Sequence, residues 1–137
     1  MSIKVYIDTN VYLDSIENRD NGISKEVLIF LEKRAVKVYL NDLSLINIHY
    51  ITRKSTSREV IKKELKEILT KHSLVSIDKY IIENSLDSNF KDFEDGVQYF
   101  CAKRVEADLI ITNNDKDFKN SEIEIMRPIE FYNRYIV

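Results

Sequence analysis

The chain has 137 residues, 44% of them hydrophobic and 32% charged, with a net charge of −2. That length suits a single domain over residues 1–137, with a core that needs no disulfide or structural metal, and the composition excludes a disordered chain or a basic nucleic-acid coat. Two glycines and one proline leave no linker, and with no secretory core in MSIKVYID and no apolar run long enough to span a bilayer, a cytoplasmic protein that makes no membrane contact is expected.

Residues 3–7 alternate and are β-rich, and they stop at the polar cluster Asp8-Thr9-Asn10. A helix is predicted from Asn10 or Val11 to about Glu17, then a polar turn over residues 19–22. Ser24 reads as the N-cap of a second helix with Val27, Leu28 and Leu31 on one face. Residues 36–40 read as strand two, and Asn41-Asp42 leads into a helix near Leu43 or Ser44. Ser57 can cap the next helix, where Ile61, Leu65, Ile68 and Leu69 recur at helical spacing.

Residues 73–77 give strand three, followed by a helix from about Asp78 and a polar break at residues 87–89. Residues 92–105 are predicted helical, with Phe93, Val97, Phe100, Cys101 and Val105 as an apolar stripe. The single cysteine cannot form an internal disulfide or a cysteine metal site, and its place on the stripe makes it a buried bystander. Residues 109–112 form an apolar strand four and residues 123–126 a strand five. Pro128 suits the first turn of a closing helix. Strands separated by helices define an α/β fold, a parallel sheet of about five strands with helices on both faces.

Such sheets bind ligands at the carboxyl ends of their strands, where the winding direction reverses. Asp8 ends strand one, and Asn114, Asp115 and Asp117 follow strand four. A helix leading into a strand begins at that same edge. Asp92, Glu94 and Asp95 open the helix before strand four, and Asn47 lies in the first turns after strand two. Carboxylates gathered so closely need a cation, and an oxygen-only donor set favours Mg²⁺ or Mn²⁺ over Zn²⁺. Duller roles compete: an Asx-turn for Asp8, an N-cap for Asp92 and a dipole-favoured N3 acid for Asp95. His49 and His72 lie outside the acidic motifs and read as structural. Residues 53–72 hold seven Lys or Arg against three Glu, either a phosphate-attracting face or a solvated helix laced with Glu/Lys pairs.

The segments VYIDTNVYLD and FEDGVQYFCAKRVEADLIITNNDKDF, with the spacing between them, resemble a PIN domain, and within that family the VapC-type toxins of toxin–antitoxin modules. The resemblance spans nearly the whole chain. It implies a metal-dependent endoribonuclease using Mg²⁺ or Mn²⁺, an RNA substrate, a cognate antitoxin and a homodimer. By position, it implies Asp8 and Asp95 as metal ligands, with Asp117 as a further catalytic acid. Asn10, Asn47, Thr112 and Asn114 would support the pocket. Many members carry a glutamate where Asn47 falls and an aspartate where Asn114 stands, and these amides add neither charge nor a proton acceptor. The competing expectation is therefore a PIN-like module that binds RNA or a protein without cutting. A phosphoryl-transfer or receiver-type domain is disfavoured, because the chain has no glycine-rich phosphate loop.

Overall fold

Among residues 3–137, which the computed structural model describes, five short strands form one parallel sheet in the order β3-β2-β1-β4-β5. They are β1 (Lys4–Ile7), β2 (Lys37–Asn41), β3 (Ser73–Val75), β4 (Leu109–Ile111) and β5 (Glu124–Met126). From β1 the chain winds outward through β2 to β3, then returns to place β4 on the other side of β1. The winding therefore reverses between β1 and β4, which is where a parallel sheet opens a crevice. The register pairs Ile7 with Ile111, so the residues that follow these two strands emerge side by side.

Seven α-helices connect and flank the strands: α1 (Thr9–Glu17), α2 (Ile23–Lys33), α3 (Asp42–Thr52), α4 (Arg58–Lys71), α5 (Lys79–Asp87), α6 (Phe93–Arg104) and α7 (Pro128–Phe131). Successive strand residues point to opposite faces, and the core splits accordingly. Val5, Ile7, Leu109 and Ile111 pack with Val11, Val27, Leu31, Ile48 and Phe131 on one face. Tyr6 and Ile110 pack with Ile81, Tyr99, Cys101 and Ala102 on the other. With both faces covered, β4 is buried throughout, as the unbroken apolar run predicted.

Cys101 is fully buried, and burial pushes its thiol up to about 11, in keeping with an inert bystander. His72 is also a core residue. Its Nδ1 lies 2.9 Å from the Tyr12 hydroxyl and its Nε2 2.7 Å from Glu32 Oε2. Burial lowers its pKa, and the Glu32 hydrogen bond works against that.

Three local expectations change. Ser24 is no N-cap. Helix α2 starts at Ile23 after Gly22, whose φ of 82° suits glycine, and the Asp20 carboxylate accepts the Ser24 N–H and hydroxyl instead. Strand β3 stops at Val75, because Ile77 turns away and donates its N–H to Asp42 Oδ1. Phe93 leaves the apolar stripe: it is the first residue of α6 and 45% exposed, while Val97 and Cys101 of the later turns are buried. The cap expected at Ser57 is present, accepting the Val60 N–H, and Asp78 caps the helix that was expected to begin near it, accepting the Ile81 N–H.

Candidate functional site

The carboxyl ends of β1 and β2, the first turns of α3 and α6, and the segment after β4 enclose a cavity of about 350 Å³. Asp8 is both the residue after β1 and the N-cap of α1, so its side chain cannot swing away without uncapping the helix. Its backbone N–H donates to Ile111 carbonyl at 3.0 Å, which ties it to β4. Asp8 Oδ1 accepts the Thr9 N–H at 2.7 Å, and Oδ2 accepts the Thr112 hydroxyl at 2.7 Å and the Asn10 amide at 3.3 Å. The Asx-turn reading of Asp8 is thus partly right, yet the carboxylate also faces the cavity.

Asp95 reaches the same cavity from the third helical position of α6, after the N-cap Asp92. Asp8 and Asp95 are 5% and 8% exposed and form the floor, whereas Asp92, Glu94, Asn114 and Asp117 stand exposed at the rim. Among the described residues no lysine, arginine or histidine lines the cavity. Burial raises Asp95, and the neighbouring charges of Asp8, Asp92, Asp117 and Glu94 add to it, to a pKa of about 7. Burial also raises Asp8, against the pull of the Thr112 and Thr9 hydrogen bonds.

Each remaining residue of the expected set has a definite place. Asn10 bridges two segments, since its Oδ1 accepts the Asn113 N–H at 3.2 Å while its amide contacts Asp8. Thr112 is wholly buried; its hydroxyl donates to Asp8 and accepts the Asn114 N–H at 3.0 Å. Asn47 and Asn114 line the cavity. Asp117 lies in a short 3₁₀ turn (Asp115–Phe118) anchored by the buried Phe118, and that turn brings Asp117 but not Asp115 to the cavity. The basic helix α4 contributes no lining residue. Replacing Thr112 by valine removes a donor from Asp8 and orphans the Asn114 N–H, so urea unfolding is expected to show a loss of about 1–3 kcal/mol.

Four residues of the site escaped the sequence reading: Asn41, Ser44 and Gln98, which line the cavity, and Tyr6 behind them. All are buried and joined by side-chain hydrogen bonds. Asn41 ends β2 at the carboxyl edge and caps α3, and Gln98 lies one helical turn beyond Asp95. The edge rule and the i, i+3 spacing carried a signal for those two. Tyr6, inside a strand, carried none.

The donors are hard oxygens: two buried carboxylates, amide carbonyls, hydroxyls and rim acids. They suit Mg²⁺ or Mn²⁺ in chemistry, with water completing the shell. Among the described residues, however, no three His, Cys, Asp or Glu side chains are gathered closely enough to hold a metal by themselves.

The chain folds as a parallel five-stranded α/β domain with acids at its switch point. The PIN domain model matches residues 4–116, and the chain belongs to the PIN domain family. It is similar to Ribonuclease VapC1 of Aquifex aeolicus (strain VF5), at 27% identity over 141 residues that take in 98% of this chain and 96% of the relative. The fold is shared with a chain of VapBC2 from Rickettsia felis bound to a DNA fragment from their promoter. That match has a TM-score of 0.68 and 16% identity over 91% of this chain and 98% of the other. A chain of a toxin–antitoxin complex from Klebsiella pneumoniae also matches, with a TM-score of 0.68 and 19% identity over 90% of this chain and 97% of the other.

Proposed function

We propose that this single-domain chain is a divalent-metal-dependent endoribonuclease, the toxin of a toxin–antitoxin pair. The observation that carries the reading is the pair of buried carboxylates, Asp8 and Asp95, at the β1/β4 crevice, which no basic residue lines among the described residues. The similarity to a relative named as a ribonuclease supports the substrate class, and the fold shared with a chain of a toxin–antitoxin complex supports the partner.

In this reading Asp8 and Asp95 hold Mg²⁺ or Mn²⁺, with Asn114 or Asn47 offering a carbonyl oxygen and Asp117 acting at the rim. The bound ion supplies a Lewis acid for a phosphate oxygen and a lowered pKa for the attacking water. Thr112, Asn10 and the Thr9 N–H hold the Asp8 carboxylate in one orientation, so no reorganisation is needed when phosphate arrives. Asp117, exposed beside the floor, orients the attacking water. A cognate antitoxin covers the pocket, the active form is a homodimer, and the protein works in the cytoplasm.

A second reading has its own support in Asn47, Asn114 and the absence of a three-acid cluster among the described residues. It is a module that binds RNA or a protein without cutting it. Incubation of the purified chain with a labelled RNA in millimolar Mg²⁺ or Mn²⁺ separates the two. Cleavage that EDTA abolishes and added metal restores is the expected result. Retention of the RNA without cleavage, in either metal, sinks the nuclease reading and favours the module.

A further inference from the structure

We propose that Gln98 is a positioning residue that sets the separation of Asp8 and Asp95, and with it the affinity of the pocket for a divalent cation. The proposal rests on the reading of these two acids as the cation's ligands.

The geometry centres on one buried amide. Gln98 Oε1 accepts the Tyr6 hydroxyl and, at 3.3 Å, the Asn41 amide. Gln98 Nε2 donates to Thr9 Oγ1 at 3.1 Å and to Ser44 Oγ at 3.0 Å. Both donors and both acceptor positions of the amide are therefore filled. A reversed amide would set its NH₂ against the NH₂ of Asn41, so the network admits one orientation.

Each contact leads to a different wall of the pocket. Thr9 follows Asp8 and donates its N–H to that carboxylate. Ser44 opens α3, one turn before Asn47, and its N–H is capped by Asn41 at 2.6 Å. Gln98 itself sits one turn after Asp95 on α6. The Thr9 and Ser44 hydroxyls also meet at 2.6 Å, which closes the ring. One side chain thus cross-ties the starts of α1, α3 and α6, the elements that carry Asp8, Asn47 and Asp95. Among these side chains, only glutamine at position 98 supplies two donors toward Thr9 and Ser44 together with acceptors toward Tyr6 and Asn41.

The test is titration of the full chain with Mn²⁺ alone, read by electron paramagnetic resonance, beside RNA-cleavage kinetics. Gln98→Met keeps the length and loses the amide. Its Mn²⁺ dissociation constant is expected to rise about ten- to a hundredfold, the range for lost outer-shell support of a metal ligand. Its kcat should fall while KM for RNA is unchanged. Ser44→Ala, which removes one of the four contacts, should show a smaller rise. The double variant should be no weaker than Gln98→Met, because the two changes break one network. Ala102→Gly, buried on the same helix away from the cavity, should lower stability and leave Mn²⁺ affinity unchanged.

Parent-like affinity in Gln98→Met overturns the positioning role and leaves the metal reading standing. An equal loss in Ala102→Gly also overturns it, since any softening of α6 would then suffice. No Mn²⁺ bound by the parent protein overturns the metal reading and this proposal together. Should Gln98→Met fail to fold, Ser44→Ala decides by the same criterion.

Discussion

Asp8→Asn is expected to remain folded, to lose measurable Mn²⁺ binding and to cut RNA at least about a hundredfold more slowly, since a metal contributes several kcal/mol of transition-state stabilisation. The substitution keeps the size of the side chain and its helix-capping position, so the architecture has no reason to change. Two opposing effects then set its stability. Removing a charge that burial already disfavours stabilises the fold. Against this, the new NH₂ faces either the Thr9 N–H or the donors of Thr112 and Asn10, so one hydrogen bond is lost. These terms are of similar size, and a net change within about 2 kcal/mol by urea unfolding is expected. Loss of cleavage by global unfolding would instead appear as a collapsed unfolding transition. Asp117→Asn should have a milder effect on Mn²⁺ binding, because Asp117 is exposed at the rim and water screens its charge. Full cleavage by Asp8→Asn would remove the proposed chemistry from this pocket.

The second large effect is on stability against pH. Asp95 titrates near 7 in the folded chain, through burial first and then its acidic neighbours, against roughly 3.9 when unfolded. Between those values the folded state holds a proton that the unfolded state has released. Stability of the metal-free protein is therefore greatest below about pH 4 as far as this group is concerned, and it falls as the pH rises toward about 7. The loss is at most about 4 kcal/mol. In the parent, urea unfolding at about pH 5 and about pH 8 should differ by a few kcal/mol, and Asp95→Asn should remove most of the difference. Saturating Mn²⁺ should also remove it, by favouring the ionised pair in the folded state. A metal-free parent equally stable at both pH values would show that Asp95 is solvated and unstressed, contrary to its burial.

Much of the arrangement was legible without coordinates because it is set by local patterns. Period-two alternation located β1, the unbroken apolar run located β4, and the polar residues after each placed Asp8 and the Asn114–Asp117 segment at one sheet edge. The helix opening at Asp92 put Asp95 at that edge as well, since a helix that leads into a parallel strand must start where strands end. The PIN resemblance drew on these same residues, and the family match agrees with it.

Other features depend on contacts between distant segments. Ser24 looked like a cap from its own neighbourhood, but Asp20 and the left-handed Gly22 start the helix two residues earlier. Phe93 fitted a helical stripe by spacing, yet it stands exposed where α6 begins beside the cavity. Asp115 and Asp117 both follow β4, and the family resemblance favoured Asp117; the turn anchored by Phe118 brings Asp117 and not Asp115 to the cavity.

Local pattern was enough for the α/β class, the carboxyl-edge position of Asp8 and Asp95, and the oxygen chemistry of the set, because the alternation of strands and helices fixes which edge each residue reaches. Long-range packing was needed to set β4 against β1, to bury Asp8 and Asp95 while leaving Asp92, Glu94 and Asp117 exposed, and to let Gln98 of α6 link the starts of α1 and α3. Those outcomes depend on which surfaces pack together across about a hundred residues of chain, and hydrophobic burial, which drives that packing, specifies no partner by local pattern alone.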